Sequence, residues 1–231
     1  DKAYSKKIID KKIFQENKSI AFFEIAKIKQ FNEEGDAQKN IENALNLRKY
    51  FPPYVKFYIN FLIAKKNYSY AKKFIKKAWN ENPHSEYKVS IMNLATHMGI
   101  DKIDLAKFVT SNNPFVEESK IFLIEASIAS KKWNFARSEI KDLLDINPKK
   151  EVCLLMAKIE EGDDGNINKV NSWNLRANNG TQKKLWVCLI SHKHQEYWTS
   201  LSNGGYFNSL EWRQPHMLSQ ERSSNLSLIH I

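Results

Sequence analysis

Glycine, proline, cysteine and arginine are all scarce in this chain. Its 231 residues include seven glycines and six prolines, which leaves little material for a turn-rich β fold. Two cysteines are too few for a disulfide framework, and this favours a reducing compartment. Runs of about 18 apolar residues are absent, so the sequence predicts no membrane-spanning helix. Because 42% of the residues are hydrophobic, the chain can bury a continuous core, and we expect an all-α protein.

The formal net charge of +10 comes almost entirely from lysine, since only five of the 36 basic residues are arginine. Arginine reads bases and phosphates better than lysine does, so we expect no nucleic-acid partner. A basic RNA-binding repeat protein is the weaker alternative, because base-stacking aromatic residues do not recur at one exposed position per repeat. Six lysines cluster around one predicted hairpin: Lys65, Lys66, Lys72, Lys73, Lys76 and Lys77. A solvated helix face explains them more simply than a patch for an anionic partner.

The main positive feature of the sequence is a spacing of 34 residues, which is the period of tetratricopeptide repeats. At this spacing two sets of small and apolar residues match: Ala37, Ile41 and Ala44 with Ala71, Ile75 and Ala78. A small residue allows two helices to approach closely, and the apolar residues fill the seam between them. The pattern predicts a tetratricopeptide-type α-solenoid of helical hairpins, an architecture that binds other molecules rather than transforming them.

Four segments follow from this pattern. Residues 1–17 are expected to be the remnant of a preceding helix, and residues 18–180 to form about five hairpins. Residues 181–215 lose the helical period and are expected to form a small β-hairpin tail. Residues 216–231 are expected to be disordered or artefactual, because the final six resemble a translated transposon end. The start at Asp1 without methionine predicts a fragment whose N-terminal region is missing.

Candidate binding residues follow from the repeat frame. In such arrays the first helix of each unit lines a concave surface, which an extended peptide or a partner helix would occupy. Counting along the first helices predicts four non-aliphatic residues for this surface: Lys56, Asn60, Tyr87 and Glu125. Surface decoration is the simpler interpretation of these four residues. The partner predicted by this pattern is a protein or a peptide.

Catalytic motifs are absent from the sequence. It contains no glycine-rich phosphate loop, no nucleophile elbow and no HExxH pair. The acidic pairs Glu160-Glu161 and Asp163-Asp164 lie at a predicted helix end and turn, where solvated acids are ordinary. We therefore expect no enzymatic activity and no cofactor.

Three stretches of sequence together resemble a known family. They are AWNENPHSE at 78–86, CLLMAKIEEG at 153–162 and WVCLISHKHQEYWTSLSNGGYFNSLEW at 186–212. They are similar to the alphaproteobacterial branch of the HemY-like tetratricopeptide proteins, and the resemblance covers roughly residues 19–215. It implies a scaffold associated with haem-biosynthesis enzymes at the cytoplasmic face of the bacterial inner membrane. The membrane anchor of such proteins is missing from this chain, which is expected to be soluble as given.

A regulator of lipopolysaccharide assembly is the alternative, since its relatives also carry a metal-binding tail after tetratricopeptide repeats. The full-length gene would distinguish the two. Two closely spaced N-terminal membrane helices would favour the HemY-like scaffold, and one would favour the regulator. Haem binding itself is implied by the resemblance alone, because the six histidines show no paired axial-ligand arrangement.

In many HemY-like relatives the tail looks like a zinc ribbon with two CxxC knuckles. This chain keeps one of the four cysteines, Cys188. Ser191, Leu201 and Gly204 stand about where the other three cysteines would be. A tetrahedral zinc site needs four ligands, so we expect no bound metal. His192 and His194 are weak candidate ligands with Cys188, although their spacing does not suit a knuckle.

Aromatic residues are expected to hold the tail together in place of zinc. Four of them are large enough to pack on each other and on the final helix pair: Trp186, Trp198, Phe207 and Trp212. The tail is therefore predicted to be a short β-hairpin that is held by apolar packing of its aromatic residues.

Overall fold

The computed structural model describes residues 10–33, 35–144 and 148–215. Within these residues the regular structure consists of ten α-helices followed by a three-stranded antiparallel sheet. The protein is therefore mostly helical, as predicted, with a small sheet after the helices. The predicted end segment 216–231 lies outside the described residues. None of the described helices is both long and apolar enough to cross a bilayer.

The elements follow one another in a simple order. The helices are α1 (Lys11–Phe31), α2 (Ala37–Leu47), α3 (Pro52–Ala64), α4 (Tyr68–Glu81), α5 (Lys88–Met98), α6 (Lys102–Thr110), α7 (Glu117–Ala129), α8 (Trp133–Ile140), α9 (Lys150–Asp163) and α10 (Ile167–Asn178). Short 3₁₀ turns, Ser85–Tyr87 and Lys141–Leu143, precede α5 and follow α8. The strands are β1 (Leu185–Cys188), β2 (His194–Gln195) and β3 (Leu210–Arg213).

Local chemistry explains where several helices begin and end. The Asp101 side chain accepts a hydrogen bond from the Ile103 N–H at 2.7 Å and caps α6. Two prolines occupy the first turn of α3, where their missing N–H groups cost nothing. Gly99 ends α5 in the left-handed region at φ 66°, which glycine adopts without strain.

The first helix is longer than predicted. Asp10 caps it by accepting a hydrogen bond from the Lys12 N–H at 2.7 Å, and the helix then continues to Phe31. Residues 11–17 therefore belong to α1 and not to the remnant of a preceding helix. The cause is a cap that the repeat pattern does not include.

Helices that are neighbours along the chain pack against each other in pairs. The contacts are close because small residues lie between the paired helices: Ala44 of α2, Ala71 and Ala78 of α4, and Ala136 of α8 are fully buried. One apolar cluster joins α1 to α7, and a smaller one joins α7, α8 and α9. The core therefore runs from α1 to α9 in two parts.

The sheet has the strand order β2-β1-β3, with Trp186 opposite Trp212 and Cys188 opposite Leu210. We call residues 181–215 the tail. Four tail residues join the larger apolar cluster: Trp186, Cys188, Trp198 and Leu210. The chain thus leaves α10 and returns to the helices at the other end of the series.

This return corrects the predicted position of the tail. The centroid of the Trp198 ring lies 5.2 Å from the centroid of the Phe51 ring and 5.9 Å from that of the Phe23 ring. The Asn208 side-chain amide donates to the Asn17 side chain at 3.3 Å. Trp198 therefore packs on α1 and α3 and not on the final helix pair, although the Lys150 N–H at the start of α9 donates to the Thr181 carbonyl oxygen of the tail at 3.1 Å. Phe207, predicted to pack with the tryptophans, is half exposed.

Candidate partner-binding groove

A cavity of about 570 Å³ lies between the helices and the tail, and we call it the groove. Its helical wall comes from α5, α7 and α9, and its main residues are Lys88, Met92, Glu125, Ile128, Glu151 and Leu155. The opposite wall comes from the tail, with Lys183, Leu185, Glu196 and Tyr197. The groove is therefore formed by segments that are distant in the sequence.

Each of the three helices contributes a charged residue and an aliphatic residue one turn later. The pairs are Lys88 with Met92, Glu125 with Ile128, and Glu151 with Leu155. Residues three or four apart lie on the same face of a helix, so both members of each pair reach the groove. The helical wall thus carries a charged strip beside an apolar strip.

Lys88 lies at the centre of the charged strip, and only 5% of its surface is exposed. Its ammonium is 3.0 Å from the Glu125 carboxylate and 3.7 Å from the Glu151 carboxylate. A buried cation needs such partners because its removal from water is costly. One ammonium faces two carboxylates, so this group carries one excess negative charge.

The four predicted binding residues fall in different places. Lys56 lines the groove, 3.6 Å from the Glu86 carboxylate and 5.0 Å from the centre of the Tyr197 ring. Glu125 also lines it. Asn60 is exposed, but it is not among the residues that line the groove. Binding of a partner by Lys56 and Glu125 stays a prediction.

Tyr87 is placed inside the protein, not on the groove surface. It is fully buried, and its hydroxyl donates to the Tyr50 carbonyl oxygen at 3.1 Å. Tyr87 ends a 3₁₀ turn, in which each residue advances by about 120° and not the 100° of an α-helix. The position predicted by counting along the helix is therefore wrong by one residue, and Lys88 lines the groove in place of Tyr87.

Lys88 and Glu151 were missed by sequence reasoning. Lys88 follows the predicted Tyr87 by one position, and Lys88 and Glu151 both lie in the first turns of their helices. A buried lysine is also rarely expected without knowledge of its partners.

The floor of the groove is tied to the tail through tryptophan. The Trp186 indole N–H donates to the Glu86 carboxylate, and the Trp212 ring lies 4.6 Å from the His84 ring. Burial, together with the nearby positive charges of Lys184 and Lys88, lowers the pKa of His84 to about 3. His84 is therefore neutral near pH 7 and serves as an uncharged packing partner for the tail.

Cys188 does not form part of a metal centre with the predicted histidines. Cys188 is buried, whereas His192 and His194 are exposed, and the three do not form a group that could hold a metal ion. Across the described ranges, no three or more His, Cys, Asp or Glu side chains form such a group.

Serines surround the Cys188 sulfur instead. Its Sγ accepts a hydrogen bond from the Ser191 N–H at 3.4 Å and lies 3.3 Å from the Ser209 Oγ. Burial raises the pKa of this thiol, but hydrogen bonds from Ser191, Ser209 and Ser202 outweigh it and lower the pKa to about 6. One thiol among hydroxyls does not fit a zinc site.

The sequence suggested that the acidic residues at the end of α9 are solvated, but one of them is buried. Glu160 is buried and accepts two hydrogen bonds from the Arg137 guanidinium, at 2.7 and 2.9 Å. These bonds lower the pKa of Glu160 despite its burial. Asp163 accepts a third bond from Arg137 at 3.0 Å. The arrangement joins α8 to α9 and is structural.

No model of a known protein family matches the chain. A stretch of 77 residues is 34% identical to the probable magnetosome protein Mms48 of Magnetospirillum gryphiswaldense. That stretch is 33% of this chain and 17% of the magnetosome protein. A match of this length shows neither a family nor a shared activity.

Proposed function

We propose that the protein is a non-catalytic interaction scaffold, which binds a linear segment of a partner protein in the groove. The groove is the observation that carries the proposal. Its two walls leave about 570 Å³ between them and combine charged with apolar side chains. Grooves between helices that combine these features accept extended or helical peptides.

We further propose that the helices form a tetratricopeptide-type solenoid. Support comes from the pairwise packing of successive helices and from buried alanines near the start of second helices. Ala37, Ala71 and Ala136 lie near the start of α2, α4 and α8, and each is at most 3% exposed. In a solenoid of this type the first helices share one face, which supports the choice of α5, α7 and α9 as a binding wall.

The partners that we propose are enzymes of haem biosynthesis, held near the bacterial inner membrane. This part of the proposal is supported by the HemY-like sequence motifs at 78–86, 153–162 and 186–212. The match to a magnetosome protein supplies no partner for this chain.

Peptide arrays that tile haem-biosynthesis enzymes of an alphaproteobacterium would test the proposal directly. The full chain is applied as the wild type and as two variants that replace exposed aliphatic residues. Val89 lines the groove and is 62% exposed, and Leu175 on α10 is 68% exposed and outside it. We expect Val89→Glu to abolish binding of the captured peptides and Leu175→Glu to preserve it. Equal binding by both variants would contradict the assignment of the groove.

A further inference from the structure

We infer that the groove selects a partner segment in which a basic side chain and an aliphatic side chain lie two residues apart. The basic side chain is held by Glu125 and Glu151, and the aliphatic one packs on Met92, Ile128 and Leu155. This inference rests on the proposed function and names the chemistry of the partner.

The excess negative charge beside Lys88 is the first reason. The Lys88 ammonium is 3.0 Å from Glu125 and 3.7 Å from Glu151, so it cannot fully neutralise both carboxylates. Each carboxylate side chain is 27% exposed, which leaves it accessible from the groove. A second cation would balance the group, and an arginine fork could bond to both carboxylates at once.

Other lysines of the groove do not supply this second cation. Among the described residues, Lys88 alone lies within 4.0 Å of Glu125 or Glu151 as an ion-pair partner. Lys158 follows Glu151 by seven residues, which is about 10 Å along the axis of α9. Lys56 is paired with Glu86 at 3.6 Å. The charge at Glu125 and Glu151 is therefore available to a partner.

The apolar strip of Met92, Ile128 and Leu155 is the second reason for the inference. It sets the spacing between the basic and the aliphatic side chain of the partner. Leu155 follows Glu151 by four residues, which is about 6 Å along α9. In an extended peptide, side chains two residues apart lie on the same side and about 6.6 Å from each other. A segment that lies along α9 with a basic residue at Glu151 therefore places its second-next residue on Leu155, beside Met92 and Ile128.

A Glu151→Gln variant tests the negative charge of Glu151 without a large change in the shape of the side chain. Glutamine keeps the shape of the side chain and removes the excess carboxylate, while Lys88 keeps its closer partner Glu125. Glu161→Gln is the matched control, because Glu161 is an exposed residue of the same helix that does not line the groove.

The probe is a phage library of random nonapeptides, selected separately on the full wild-type chain and on the two variants. We expect the wild type and Glu161→Gln to enrich arginine or lysine two positions from an aliphatic residue. Fluorescence anisotropy with an enriched peptide should show binding about tenfold weaker to Glu151→Gln, as for a lost hydrogen bond to a charged group.

Two results would overturn the inference, and they differ in what they mean for the scaffold. Enriched peptides that lack the basic residue, or that bind Glu151→Gln as well as the wild type, would reject the cation and leave the scaffold proposal standing. If the wild type enriches no peptide whose binding is weakened by Val89→Glu, both the inference and the scaffold proposal are rejected.

Discussion

Small side chains lie buried between the paired helices. Ala71 and Ala78 on α4 have no exposed surface, because the neighbouring helices approach closely at these points. We expect Ala71→Leu to overpack this seam and to lower the free energy of unfolding by about 1 to 3 kcal/mol in urea denaturation. Ala64→Leu, at an exposed position that ends α3, should change it by less than about 0.5 kcal/mol. Equal effects of the two substitutions would contradict the close packing.

His84 makes stability depend on pH in a specific direction. The pKa of His84 is about 3 in the folded protein, whereas an unfolded histidine has a pKa near 6.5. Below pH 6.5 the unfolded chain gains a proton that folded His84 does not, so stability falls as the pH decreases toward 3. We expect this residue to reduce the free energy of unfolding by about 1 to 2 kcal/mol between pH 7 and pH 5.

Urea denaturation of two variants at both pH values checks this expectation. In His84→Asn the amide oxygen can replace the imidazole nitrogen that accepts the Glu86 N–H, so the turn keeps its cap. This variant should lose that part of the pH dependence, and His97→Asn, at an exposed position, should keep it. The prediction is wrong if both variants retain the wild-type pH dependence.

At the scale of elements, Trp198 is one of the tail residues that hold the tail to the helices. Trp198 is 7% exposed and contacts the rings of Phe23 on α1 and Tyr54 on α3, so its removal opens a cavity in the larger apolar cluster. We expect Trp198→Ala to cost about 3 to 5 kcal/mol in the free energy of unfolding, measured by circular dichroism at the helical signal. Because this cluster includes the helices, their stability should fall together with that of the tail.

The neighbouring residue provides the control for this experiment. Tyr197 is 59% exposed, and its ring meets the Lys56 ammonium at the edge of the groove. Tyr197→Ala should therefore cost less than about 1 kcal/mol. A helical transition that is unchanged in Trp198→Ala would mean that the tail folds independently of α1 and α3.

At the scale of the whole molecule, stability is distributed unevenly along the chain. Within α10, all of whose residues are described, Ala177 alone is buried, whereas β1 has three buried residues of four. Regions with few buried apolar contacts open most readily. Hydrogen exchange followed by mass spectrometry should therefore show faster exchange in α10 than in β1, although β1 is closer to the C-terminus. Slower exchange in α10 would contradict this distribution.

Much of the helical structure could be predicted because its causes are local. Capping residues such as Asp101 and paired prolines such as Pro52 and Pro53 act within one turn of the helix that they start. The buried alanines recur at a spacing that reflects the length of a helical pair. Two of the four predicted binding residues, Lys56 and Glu125, line the groove for the same reason, since both lie inside regular helices.

The tertiary structure alone decided where the tail packs and which residues form the groove. Trp186 meets Glu86 across 100 residues, and Asn208 meets Asn17 across 191, separations at which no sequence period operates. Lys88 can be buried because α7 and α9 bring Glu125 and Glu151 to it from distant parts of the chain. Burial of a charge depends on partners that only the folded arrangement brings within reach. The sequence by itself determined the helices, and the packing among them determined the site.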